Sequence, residues 1–152
     1  MSKHVQRIYV DTSVIGGCCD EEFAAESRQL LDLVANGNVI LLISDLMTAE
    51  LLTAPLPVQR VIVAIPPAGV EEVRASDESR ALRDAYLAAG VVGPAHINDA
   101  HHVALATVAR ADMIVSWNFK HIVHYDKIRG FNAVNLREGY GAIAIYSPLE
   151  VV

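Results

Sequence analysis

The chain is poor in the residues that mark several large protein classes. It has two cysteines in 152 residues. Cys18 and Cys19 are adjacent, which disfavours a structural disulfide between them and argues against a disulfide-stapled scaffold. No apolar run approaches the length that spans a bilayer, so no membrane partner is expected. The segment Met1-Ser2-Lys3-His4 has a charge but no long apolar region behind it, so no signal peptide is expected. Together these readings point to a reducing cytoplasm. Positive charge is also scarce: 12 Lys and Arg face 18 Asp and Glu, a formal net charge of -6. That argues against a surface that binds nucleic acid by charge alone. It does not exclude a nuclease, because a metal-binding acidic cluster contributes negative charge itself. Repeats, linkers and low-complexity segments are missing too. What the chain does have is 53% hydrophobic and 20% charged residues, which exclude disorder. Its length suits a single domain over residues 1–152 with a real core.

The apolar residues are distributed as short runs between helical patterns. Arg7-Ile8-Tyr9-Val10 is a β-prone run that meets Asp11 and turns polar at once, which reads as a buried strand. Val14 to Cys19 reads as a turn or short helix. Phe23, Leu30, Leu31 and Val34 form a helical stripe over residues 21–35, with Gly37 as the stop. Val39 to Ile43 is continuously apolar, as a strand buried on both faces should be. Ser44 and Asp45 are N-cap candidates for a helix through Met47, Glu50 and Leu51 that ends before Pro55. Further helices are predicted over 57–65, 77–89 and 98–110. Strands are predicted over 70–73 and 113–116, with weaker signals at 133–136 and 142–146. Strands alternating with helices imply an α/β fold with a parallel sheet and right-handed crossovers.

Four polar residues fall at places such a sheet can bring together. Asp11 ends the first strand. Glu50 lies on the helix after the second. Asp99 is in the first turn of an Ala-rich helix, where an anion also suits the helix dipole. Asn118 follows the strand that ends at Ser116. Ligands of open α/β sheets bind outside the carboxyl ends of the strands. Three carboxylates gathered there repel one another by about 3 kcal/mol per pair at about 5 Å and an effective dielectric near 20. The cluster needs a cation, or a proton on one of its members. Hard oxygen ligands without a thiolate suit Mg²⁺ or Mn²⁺, and the chemistry they support is metal-assisted phosphodiester hydrolysis. Any one of these acids by itself is an ordinary surface group or a helix cap. Agreement between separate placements is what points to a site.

Other residues are less telling. A phosphatase that uses Asp11 as its nucleophile wants a second Asp two positions on, where Ser13 stands; a phosphoacceptor domain wants further acids before the first strand's Asp. Asp112 precedes the strand that Asn118 follows, so at roughly 3.3 Å per residue it belongs to the opposite sheet edge. His101 and His102 are neighbours and point to different sides of a helix, so they do not serve one ion. His102, on the side near Asp99, is the one expected to hydrogen-bond in the core or near the site. His121 and His124 are spaced as a ligand pair, but no Cys or third His accompanies them, and zinc is not expected. Lys120, Lys127 and Arg129, with Arg137, make a basic stretch that follows Asn118, suited to a phosphate backbone. Trp117 and Phe119 have faces on which bases stack, but packing is expected of Phe119. Cys18 and Cys19 read as small apolar fillers.

Four fragments together resemble one family. Tyr9-Val10-Asp11-Thr12-Ser13-Val14, Thr48-Ala49-Glu50-Leu51, the run from Asn98-Asp99 to Ala106, and Val115-Ser116-Trp117-Asn118-Phe119-Lys120-His121 are similar to the PIN-domain nucleases. Among these the nearest look is to the VapC-type toxins of type II toxin–antitoxin systems. The resemblance spans nearly the whole chain in the right order. It implies a three-layer α/β/α fold with a central, mostly parallel twisted sheet. It further implies a Mg²⁺- or Mn²⁺-dependent ribonuclease acting on RNA, an antitoxin partner and a homodimer. Carried over, Asp11, Glu50 and Asp99 are the metal-binding acids, and Ser116 is a hydroxyl that organises the site. Asn118 stands where many members have a fourth acid, which favours one ion over two. That departure also leaves open a non-catalytic PIN-like binding module.

Overall fold

Five parallel strands form one sheet in the order β3-β2-β1-β4-β5. They are β1 (Gln6–Val10), β2 (Val39–Ser44), β3 (Val70–Val73), β4 (Met113–Val115) and β5 (Ala144–Tyr146). The computed structural model describes residues 4–152; Met1, Ser2 and Lys3, part of the segment judged for an export signal, lie outside them. Among the described residues, no helix is long and apolar enough to cross a membrane.

The strands read as unbroken apolar runs because both of their faces are buried. Side chains alternate across a strand. Ile8, Val10, Leu41, Ile43 and Val115 therefore join the core on one face, and Tyr9, Leu42 and Ile114 join the core on the other. The first core is covered by α1 (Thr12–Gly17), α2 (Ala24–Ala35), α3 (Asp45–Leu51) and α4 (Leu56–Val63). The second is covered by α5 (Asp77–Ala88), α6 (Ile97–Val108) and α7 (Tyr125–Arg137). A last short helix, α8 (Pro148–Val151), had no expectation attached to it. The result is the expected three-layer α/β/α architecture.

Local chemistry sets most of the boundaries. Ser44 caps α3, its Oγ accepting the Met47 N–H at 3.1 Å. Ser76 and Ser79 close a reciprocal capping box on α5. Gly37 follows α2 at φ +78°, a left-handed conformation that glycine adopts without cost. One predicted strand is wrong: residues 133–136 lie inside α7. Phe131 and Val134 are buried three residues apart while Leu136 is 64% exposed, which is a helical stripe and not a strand alternation.

The chain leaves β1 for β2 and β3 on one side of the sheet and returns to β4 on the other. β1 and β4 are thus neighbours at the switch point, where a crevice opens beyond their carboxyl ends. Asp11 follows β1, and Ser116 and Asn118 follow β4.

Candidate functional site

Asp11 is held at the switch point by two serines. The Ser13 hydroxyl donates to its Oδ1 at 2.5 Å and the Ser116 hydroxyl to its Oδ2 at 2.9 Å. Each serine oxygen in turn accepts a backbone N–H from the segment after β4: Trp117 N–H to Ser13 at 2.9 Å, and Asn118 N–H to Ser116 at 2.9 Å. The bend after β4 thus closes onto the bend after β1. Asp11 is only 4% exposed. Burial pushes its pKa up, against the opposing effects of His102 and the two serines, and the charge of Asp99 adds to the rise. Among the described residues, no cationic side chain bonds the buried Asp11 carboxyl.

Glu50, on the second turn of α3, is held by a longer chain of bonds. Thr12 Oγ1 donates to Glu50 Oε1 at 2.8 Å, and His102 Nε2 meets the same oxygen at 2.6 Å. His102 Nδ1 lies 2.6 Å from the Tyr9 hydroxyl, which lies 2.8 Å from Ser44 Oγ. One set of proton positions satisfies every group: Met47 N–H to Ser44, Ser44 O–H to Tyr9, Tyr9 O–H to His102 Nδ1, and His102 Nε2–H to Glu50. Partial burial works against the Glu50 charge, but the His102 bond and the Thr12 hydroxyl outweigh it and hold its pKa below the usual range. Both bonds land on Oε1, which leaves Oε2 for another ligand. Burial pushes the Tyr9 phenol far up, so it serves as a neutral donor.

Asp99 is placed by the first turn of α6, as expected, but with different company. Its Oδ2 lies 3.5 Å from His96 Nδ1, three residues earlier. The His96 ring stacks on that of His121, with centroids 3.5 Å apart and planes at 23°. His121 is set by Asn118, whose Oδ1 accepts the His121 N–H at 3.0 Å. Burial and the nearby His96 lower the His121 pKa. Among the described residues, one group of three acidic, His or Cys side chains has its ligand atoms within 4.8 Å of one another: His96, Asp99 and His121. Asp11, Glu50 and Asp99 do not form such a group, although the Asp99 charge acts on Asp11.

The donor chemistry at Asp11, Glu50 and Asp99 fits a hard divalent ion. All three supply carboxylate oxygens, no thiol stands among them, and among the described residues no cation bonds the buried Asp11 carboxyl.

The other expected residues divide. Of the basic stretch, Lys120 and Arg129 are exposed, but the Lys127 ammonium donates to the Val91 carbonyl at 2.8 Å. Arg129 lies over the Tyr125 ring at 5.5 Å. His101 and His102 do face different ways: His101 Nε2 meets Ser79 Oγ at 3.1 Å, and burial pushes its pKa down to about 4. Asp112 is at the opposite sheet edge, where its carboxylate accepts the Arg7 N–H at 2.7 Å. The expectation that Phe119 packs fails. Trp117 is the packed ring, stacked on Phe23 and donating to Ser27 Oγ at 2.8 Å, while Phe119 is 45% exposed. Gly17 permits this, since a Cβ there would lie 2.6 Å from Ser27 Oγ and 2.8 Å from Trp117 Nε1. Cys18 is a buried filler, but Cys19 is exposed.

Sequence reasoning passed over Thr12, Tyr9 and His96. Thr12 and Tyr9 flank Asp11 within one quoted fragment, and strand alternation sends Tyr9 toward α6. His96 stands at i−3 from Asp99, a spacing that puts both on one face.

Comparison with known proteins bears on the fold. No family model matches the chain. No curated protein matches it either. Solved structures do. VapBC2 from Rickettsia felis, bound to a DNA fragment from its promoter, superposes with a TM-score of 0.58 at 14% identity, covering 93% of this chain and 98% of that one. FitAcB from Neisseria gonorrhoeae gives a TM-score of 0.55 at 17% identity, with 93% and 98% covered. The parallel five-stranded sheet between two helical layers is therefore a PIN-like fold, shared with these two structures over nearly the full chain.

Proposed function

We propose that this chain is a single-domain, metal-dependent endoribonuclease, the toxin of a type II toxin–antitoxin pair. The observation that carries the reading is Asp11: a buried carboxylate at the sheet's switch point, held by two serines and within reach of the Asp99 charge. Asp11, Glu50 and Asp99 would hold one Mg²⁺ or Mn²⁺. When bound, such an ion acidifies a water and stabilises charge on the scissile phosphate. The protein's own part is preorganisation. Ser13 and Ser116 fix both Asp11 oxygens, and His102 and Thr12 fix Glu50 with one oxygen free. Lys120 and Arg129, exposed beyond β4, would meet the RNA backbone; Lys127 would join them on release from Val91.

The partner assignments rest on the fold likeness and on one surface. A groove between α3, α4 and β3, lined by Leu52, Ile62 and Val63 together with Asp45, Glu72 and Arg74, would receive the antitoxin. Leu52 and Val63 are exposed there. The reading extends to a homodimer and a cytoplasmic location.

Purified protein should cleave RNA with Mg²⁺ or Mn²⁺, and Asp11→Asn should remove the activity. Equal cleavage by both proteins would assign it to a contaminant or to another site. A second reading, a non-catalytic PIN-like module, is favoured by Asn118, whose oxygen is engaged by the His121 N–H where a fourth acid would bind metal. Calorimetry with Mn²⁺ separates the two, since the module should show no divalent binding at millimolar metal.

A further inference from the structure

We propose that His96, Asp99 and His121 form a second metal site, which takes a borderline transition ion such as Zn²⁺ or Co²⁺ and shares Asp99 with the acidic centre. It requires neither RNA cleavage nor an ion at Asp11. Two imidazoles and a carboxylate are a donor set typical of zinc sites that keep an open position. Mg²⁺ prefers oxygen alone, so this set selects a different class of ion from the acids at Asp11 and Glu50.

The geometry is near that of a bound state. A tetrahedral ion with ligands at about 2.1 Å holds them about 3.4 Å apart. His96 Nδ1 and Asp99 Oδ2 are already 3.5 Å apart, and the third ligand atom is within 4.8 Å of both. Binding would turn the stacked His96 and His121 rings apart, so that a nitrogen of each points at the ion. All three residues are half-buried, so the ion would have an approach from solvent and an open coordination position.

The three residues are also fixed by the fold. His96 and Asp99 share the entry to α6 at i, i+3 spacing. His121 comes from the bend after β4. Its backbone is held by Asn118, Asn118 by Ser116, and Ser116 by Asp11. The ring contact is informative as well. The rings of His96 and His121 lie against each other, with centroids 3.5 Å apart, so the two imidazoles are already neighbours. The neutral amide at position 118 thus does structural work for an imidazole close by.

Titration of the full chain with Co²⁺ at neutral pH is the direct test, read from the visible ligand-field bands and from imidazole ¹⁵N shifts. One site that perturbs the His96 and His121 rings should saturate, separable from Co²⁺ bound at the acids by its survival in Asp11→Asn. His96→Asn and His121→Asn should each weaken Co²⁺ binding by about a hundredfold or more, beyond the loss typical of a supporting contact. Mn²⁺ binding should be unchanged in both, and both should stay folded, because these side chains are partly exposed. Asp11→Asn should abolish Mn²⁺ binding and keep the Co²⁺ bands. The proposal is overturned if wild type binds no Co²⁺, if neither His substitution weakens the binding, or if only Asp11→Asn removes it. Failure of Mn²⁺ binding in wild type would instead count against the ribonuclease reading and leave this site standing.

Discussion

Asp11 and Glu50 sit in hydrogen-bond chains that run back into the sheet, whereas Asp99 lies 3.5 Å from His96 and faces solvent in part. The first region spends its polar groups on one another. Ser13, Ser116, Thr12, His102, Tyr9 and Ser44 each bond at least one other member, and no buried side-chain polar atom among the described residues lacks a partner. The second region, with His96 and His121 stacked beside Asp99, is loosely bonded and open. The first region is thus preorganised and the second adaptable. In the buried region geometry exists before any ligand arrives; in the exposed region a ligand must complete it.

The largest test of that contrast is His102→Leu. It leaves the Tyr9 hydroxyl and the Glu50 carboxylate without their shared partner. Stability should fall by about 2–3 kcal/mol, and Mn²⁺ affinity by roughly 10–100-fold, measured by urea unfolding and calorimetry. If His102→Leu proved as mild as a change at His96, the buried chain would not be preorganised.

Asp11→Asn sharpens the comparison through its sign. The Asp11 pKa is raised in the folded chain and ordinary in the unfolded one. Its contribution to stability is therefore present at low pH and lost as pH rises through the ordinary value and then the raised one. In chelator, Asp11→Asn should be more stable than wild type at neutral pH, by roughly 1–2 kcal/mol, with the gap closing on acidification. Millimolar Mn²⁺ should reverse the order by stabilising wild type alone. Melting curves across pH, with and without metal, check both signs.

Tyr9→Phe removes one hydroxyl from the same chain and should cost about 1–2 kcal/mol in urea. His96→Asn, at the open end, should change metal-free stability by less than about 0.5 kcal/mol. A cost for His96→Asn as large as for Tyr9→Phe would show that the two ends are equally structural.

Which residues were legible follows from how local their signals are. The strand ends at Asp11 and Ser116 and the cap at Ser44 are written in adjacent residues, and the structure has them there. The span 133–136 was misread because β-prone residues compete with a helical stripe that includes Phe131, and packing on the core decides between them. Phe119, expected to pack, is exposed because the packed place is taken by Trp117, whose burial depends on Phe23, Ser27 and Gly17 far back in the chain.

By itself the sequence determined the alternation of buried strands and amphipathic helices, and hence a parallel sheet with acids at its carboxyl edge. Those features depend on periodicity and on turn chemistry within a few residues. Tertiary structure alone decided that Ser13 and Ser116 grip Asp11, that His102 links Tyr9 to Glu50, and that His96 and His121 meet at Asp99. These are contacts between strands and helices distant in sequence, set by strand order at the switch point and by which face each side chain takes. Asp11 is written in the chain; its burial, its raised pKa and its neighbours follow from the sheet that closes around it.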